Sequence, residues 1–180
     1  MKIAIILATG FEEIEAVSII DILKRGGIDC VSVGLDRRKV TGAHNITVYA
    51  DIVLDDLVVS EYEMAILPGG LPGADNLANS HKLCEILQSF DANNKHIGAI
   101  CAAPFVLAKF DLIKNSYTCY PGFEKNVNKS GYISNQNVVR DHNIMTSRGP
   151  ATAMEFGLEI LRELKGEKVY LDVKNGLLFE

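Results

Sequence analysis

The sequence is poor in the features that would place it in several common functional classes. It has four cysteines, Cys30, Cys84, Cys101 and Cys119, and no two of them form a Cys-x-x-Cys pair, which argues against a structural zinc site. In a reducing compartment such scattered cysteines are free thiols, and most free thiols are simply small buried hydrophobes. There is no run of lysine and arginine, and the formal charge is −5, against the basic patch that a nucleic-acid binder carries. No apolar run reaches the roughly 18 residues of a membrane span. The opening MKIAIILATGFEEIEAV has a short apolar stretch followed by acids rather than a cleavage site, so it reads as a first strand and not a leader; a cytoplasmic address is the expectation. G-x-x-x-x-G-K-[ST] and G-x-G-x-x-G are both missing, which removes the phosphate-loop and dinucleotide fingerprints. Repeats, low-complexity tracts and linkers are also missing, so residues 1–180 are expected to form a single domain.

Strand and helix signals alternate along the chain. KIAIILA, DCVSVGL, YEMAIL and HIGAI read as short buried strands, and EEIEAVSIIDILKRGG, HKLCEILQSFDANN and PATAMEFGLEILRELKG as helices stopped by glycine or asparagine. The segments around GAHN and DHN read as hairpins, and SYTCY as a further short strand. Such alternation implies an α/β fold with a mostly parallel sheet and helices on both faces. Ligands in that architecture bind just beyond the carboxyl ends of the strands. Three segments occupy that place: TGFEEIE, PGGLPG and CAAP.

Cys101 stands between an apolar strand and a helix, among Gly98, Ala99, Ala102 and Ala103, with Pro104 suited to the first helical turn. Small neighbours allow a sharp turn that lifts the side chain above the sheet, as in a nucleophile elbow. Free amides at the helix start favour thiolate over thiol and would lower the pKa from its usual value of about 8.5. Gly69 and Gly70 let backbone amides approach a substrate, or simply make a turn. Glu12, Glu13 and Glu15 open the first helix. Glu13 reads as a surface residue favoured by the helix dipole. Glu15 falls inside the apolar arc, and so would Glu12 if the helix included it; periodicity does not choose between them.

Together GAICAAP, LPGG, GFEEIE and TSRGPATAMEF resemble the ThiJ/PfpI superfamily, and within it the DJ-one branch, over nearly the whole chain. The resemblance implies a flavodoxin-like three-layer sandwich, a homodimer, and no metal or organic cofactor. It implies that Cys101 is the reactive, oxidation-prone cysteine, that Glu15 hydrogen-bonds its sulfur and acts as acid/base, and that the amides of Gly70 and Ala102 form an anion pocket. The implied chemistry is glutathione-independent conversion of a small carbonyl substrate, methylglyoxal, to lactate (a glyoxalase III activity), with deglycation as a related claim. The alternative is a redox-sensing or chaperone-like stress protein whose Cys101 is oxidised to a sulfinic acid without meaningful turnover. Two departures stand out. Tyr120, in TCYPG, occupies the position where several relatives carry a histidine, and a phenol of pKa about 10 is a poor base at neutral pH. Ala102 follows the cysteine where protease-type members carry histidine, which counts against peptidase activity. Arg148, in TSRGP, is a pocket or dimer-contact residue, or caps local carbonyls; Ser147 beside it has a weaker claim.

Overall fold

A computed structural model describes residues 1–179. The strands are β1 (Lys2–Leu7), β2 (Asp29–Gly34), β3 (Lys39–Thr41), β4 (Thr47–Tyr49), β5 (Ile52–Val53), β6 (Met64–Leu67), β7 (His96–Ile100), β8 (Val138–Asp141) and β9 (Ile144–Ser147). The helices are α1 (Glu13–Arg25), α2 (Gly73–Ala78), α3 (His81–Ala92), α4 (Pro104–Lys109), α5 (Glu124–Val127), α6 (Ala153–Lys165) and α7 (Glu167–Gly176).

Seven strands form one sheet in the order β5-β2-β1-β6-β7-β9-β8, parallel except where β8 pairs with β9. The short hairpin β3–β4 is a separate antiparallel pair. β1 shows why the sheet is a middle layer. Ile3, Ile5 and Leu7 join the core under α1 and α6, while Ala4, Ile6 and Ala8 join the opposite core with residues of α2, α3 and α4. A strand buried on both faces needs an unbroken apolar run rather than alternation, which is how KIAIIL reads. The result is the flavodoxin-like α/β sandwich.

The chain goes from β1 outward to β2 on one side and then crosses to β6 on the other. The order therefore reverses between β1 and β6, and a crevice opens there at the strands' carboxyl ends. The turns after β1, β6 and β7 all lead to that end of the sheet.

Three local readings change in the folded chain. SYTCY is not a strand: Tyr117 makes only an isolated bridge to Tyr132. The reason is that its amides diverge, Tyr117 N–H to Gly131 O, Thr118 N–H to the Thr146 hydroxyl and Tyr120 N–H to Cys101 O. A last helix, α7, follows Gly166, whose φ of 84° separates it from α6; Arg162 lies 3.7 Å over the Tyr170 ring and ties the two together. Glu13 is not a surface acid. It is buried, and its carboxylate accepts from His44 N–H at 2.7 Å, Ile46 N–H at 3.3 Å and the His44 ring at 2.9 Å. Burial pushes its pKa up, but the bonds from His44 and Ile46 outweigh it and hold the carboxyl below its ordinary value. Glu13 thus pins the β3–β4 hairpin onto the start of α1.

Removing that anchor leaves the His44 and Ile46 amides without their protein acceptor and frees the hairpin from α1. Glu13→Ala is expected to lower the free energy of unfolding by about 2 kcal/mol, measured by urea denaturation at pH 6. A change within a few tenths of a kcal/mol would mean that the hairpin is held by other contacts.

Candidate active site

The residue after β7 is Cys101, with φ +65°. This left-handed conformation is unusual for a side chain bearing Cβ and costs on the order of 1–3 kcal/mol. It persists because both of its backbone groups are held. Cys101 N–H donates to Ser147 O at 3.0 Å, and Cys101 C=O accepts from Tyr120 N–H at 2.9 Å. Ser147 itself is buried, with its hydroxyl bonded to Asn137 O and Thr152, so it supports the turn rather than facing a ligand.

The loop after β6 closes tightly on this turn. A Cβ on Gly69 would fall 2.7 Å from Cys101 Cβ and 2.9 Å from Ala102 N. Gly70 has φ +88°, and a Cβ there would fall 2.5 Å from Glu12 N and Gly10 O. Only glycine fits either position without displacing backbone. The two glycines have different tasks. Gly69 N–H donates to Glu15 Oε2 at 2.7 Å in a buried bond, so it is already engaged and is not the substrate donor that the sequence led us to expect. The amides of Gly70 and Ala102 are directed at the Cys101 sulfur.

Glu15 is 0% exposed, while Glu12 stands before the helix as its N-terminal flanking residue. The structure thereby separates the two acids that periodicity left tied. The Glu15 carboxyl is in hydrogen-bonding range of the Cys101 sulfur, and its Oε1 is buried without a partner in ordinary hydrogen-bond geometry. Burial pushes the Glu15 pKa up to about 7, opposed by the bonds from Gly69 and Cys101 and assisted by the Glu12 charge.

The thiol moves opposite to the expectation from a helix start. Burial, then the charge and hydrogen bond of Glu15, push Cys101 upward; the amides of Gly70 and Ala102 pull it down. The reasons are geometric. Helix α4 begins only at Pro104 and is six residues long, so its end is a weak source of positive potential, while the carboxyl is in contact. The two groups titrate as a pair.

Gly70, Leu71, Cys101, Ala102, Tyr120 and Phe123 line a cavity of about 260 Å³. Leu71 and Phe123 carry no sequence signal of their own; they are apolar residues beside the glycine and tyrosine motifs. Arg148 is not among these lining residues. It lines a neighbouring cavity of about 210 Å³ that shares Tyr120, and its Nε is buried without a hydrogen-bond partner among the described residues. The structure therefore brings Cys101, Glu15, Gly69, Gly70, Ala102 and Tyr120 together and sets Arg148 apart. Among the described residues, one group has metal-ligating atoms clustered within 4.8 Å, namely Glu12, Glu13 and His44. Both Glu13 oxygens there are already occupied by the hairpin. No helix among the described residues is long and apolar enough to cross a membrane.

Comparison with known proteins places this geometry in a family. The DJ-1/PfpI family model matches residues 1–163. Protein dj-1beta of Drosophila melanogaster is 37% identical over 177 residues, covering 97% of this chain and 95% of the relative. Its crystal structure superposes with a TM-score of 0.95 at 36% identity, over 99% of this chain and 98% of that one. The Parkinson disease protein 7 homolog of Danio rerio is 35% identical over 98% of this chain and 96% of its own length. A Caenorhabditis elegans relative named glutathione-independent glyoxalase DJR-1.2 is 34% identical over 86% of this chain and 83% of its own. A match along nearly the whole length, in sequence and in fold, makes this chain a member of the DJ-1/PfpI family.

Proposed function

We propose that the protein is a cofactor-free, glutathione-independent glyoxalase that converts small 2-oxoaldehydes such as methylglyoxal to 2-hydroxy acids, with Cys101 as nucleophile and Glu15 as acid/base. One observation carries the reading: a fully buried carboxyl with a pKa near 7 is held against a cysteine on a strained elbow. Perturbed groups paired in a crevice are what acid/base chemistry at neutral pH requires. The name of the Caenorhabditis elegans relative agrees with it.

Between them, Cys101 and Glu15 retain one proton near neutrality. The Glu15 carboxylate takes that proton from the thiol as the sulfur attacks, so the charge passes to sulfur, where the amides of Gly70 and Ala102 stabilise it. The thiolate adds to the aldehyde carbon, the carbonyl electrons move to oxygen, and that oxygen takes the proton from Glu15, giving a hemithioacetal and a Glu15 carboxylate. An amide donor at such an oxyanion contributes about 3 kcal/mol in other systems. The Glu15 carboxylate takes the proton from the former aldehyde carbon and returns it to the adjacent one. The hemithioacetal becomes a 2-hydroxy thioester with no net oxidation. Water then cleaves the thioester, releasing the 2-hydroxy acid and restoring the thiol. Tyr120 supplies a wall of the cavity, and the proton transfers fall to Glu15.

A second copy of the chain is the proposed partner. Ile14 and Val17 on α1, and Ile46 and Tyr49 on the hairpin that Glu13 ties to α1, are exposed. Light scattering on the eluted protein should give twice the chain mass, and Val17→Glu should lower it toward that of one chain. A wild-type monomer would remove the dimer from the proposal.

Lactate formation from methylglyoxal without glutathione tests the chemistry. Cys101→Ser should abolish it, and Glu15→Gln should reduce kcat by about 100-fold or more with the fold retained. Turnover that survives either change would take that residue out of the mechanism.

Glu15 also leaves a stability signature. Because its folded pKa is raised, the native state holds a proton that the unfolded chain releases between about pH 4.5 and 7, so stability falls as pH rises through that window. A rise from 4.5 to about 7 corresponds to on the order of 3 kcal/mol. Glu15→Gln should therefore be more stable than wild type at pH 8, with the gap closing at pH 4, as read by chemical denaturation. Parallel pH dependences in the two proteins would show that the carboxyl is not the source.

A further inference from the structure

We infer that the cavity beside Cys101 is a subsite for an aromatic or bulky apolar substituent on the molecule that the thiolate attacks. Identifying that molecule as a 2-oxoaldehyde rests on the proposed function; the subsite itself does not.

The cavity is polar at one end only. The amides of Gly70 and Ala102 are directed at the sulfur, while Leu71, Tyr120 and Phe123 supply the remaining side-chain walls and no charged residue lines it. Two backbone donors of the wall are satisfied internally: Tyr120 N–H bonds Cys101 O at 2.9 Å, and Phe123 N–H bonds Tyr120 O at 2.8 Å. Leu71 and Tyr120 are each 50% exposed, so they present large apolar faces to water beside the nucleophile. The Phe123 ring packs edge-on against Phe105, with centroids 6.5 Å apart and planes at 77°, which fixes that wall from behind.

Size points the same way. At about 30 Å³ per water, a cavity of about 260 Å³ holds several water molecules. The methyl group of methylglyoxal leaves most of that space wet. An aromatic ring would displace poorly held water from apolar walls, which favours binding. No cation on these walls is available to a carboxylate or phosphate tail. Hydrophobic pockets discriminate by about tenfold or more per missing group, so a phenyl in place of a methyl should be preferred by at least that factor.

Alkylation of Cys101 tests the subsite without turnover. In that reaction the sulfur–carbon bond forms as iodide leaves. Rates with iodoacetamide and with N-benzyl iodoacetamide are each divided by the rate with free glutathione and read at Cys101 by mass spectrometry. The benzyl reagent should be favoured about tenfold. Leu71→Ser, which changes a half-exposed side chain outside the core, should shrink that preference, and so should Phe123→Ala. Equal normalised rates in wild type, or a preference untouched by both substitutions, overturns the subsite. In turnover, phenylglyoxal should exceed methylglyoxal in kcat/KM by about tenfold, and a Cys101-dependent preference for methylglyoxal overturns the subsite as well. A benzyl preference in alkylation with no Cys101-dependent turnover of either aldehyde sustains the subsite and removes the glyoxalase reading instead.

Discussion

The hydrogen bond from Gly69 N–H to Glu15 Oε2 organises this end of the molecule. It joins the first turn of α1 to the loop after β6 across the point where the strand order reverses. A carboxyl taken fully out of water needs a donor or a proton. Here one oxygen has the donor, and the other has no partner in good geometry. The carboxyl therefore rests near its own titration point rather than as a permanently charged or permanently neutral group. Glycine at 69 is required twice over, for the close approach to Cys101 and Ala102 and for the direction of its amide.

The neighbouring strain follows from the same arrangement. Cys101 must adopt φ +65° for its sulfur to stand over the sheet end and reach the carboxyl. The sheet holds it there through Ser147 on β9, and the following loop through Tyr120. On the far side, Glu13 uses the adjoining position of α1 to hold the β3–β4 hairpin. Two acids two residues apart thus face different structures, and their pKa values move in opposite directions: Glu15 up through burial, Glu13 down through the amides and imidazole it receives. Electrostatics here is decided by which partners each carboxyl meets rather than by its place on the helix.

Around the sulfur the chemistry is sharply divided. Backbone amides and one carboxyl supply all the polarity, and apolar side chains form the mouth. Such a division suits the proposed covalent capture of a carbonyl carbon, in which the oxygen and the proton would be handled at one end and the substituent at the other. It also explains how a tyrosine is accommodated at position 120. The ring contributes surface, and in the proposed mechanism the proton transfers remain with the glutamate.

Much of this was legible in the residues. The unbroken apolar run of β1, the small residues around Cys101 and the glycines after β6 are each demanded by local sterics and burial, so the sandwich and the elbow could be read before any coordinates. The resemblance to a family singled out Glu15. Other features depend on segments distant in sequence. Periodicity could not separate Glu12 from Glu15, because the helix boundary is set by contacts with Gly69 and Gly70. The burial of Glu13 depends on a hairpin some 30 residues away. The failure of SYTCY to become a strand depends on acceptors offered by Cys101, Gly131 and Thr146. The upward shift of Cys101 depends first on its burial by other segments and then on the Glu15 carboxyl near the start of the chain. By itself, then, the sequence determined the layers of the fold and the position of the thiol, because those follow from short-range patterns. Only the tertiary structure decided the charge state of the site and the apolar character of its mouth, because those arise where four separate loops meet.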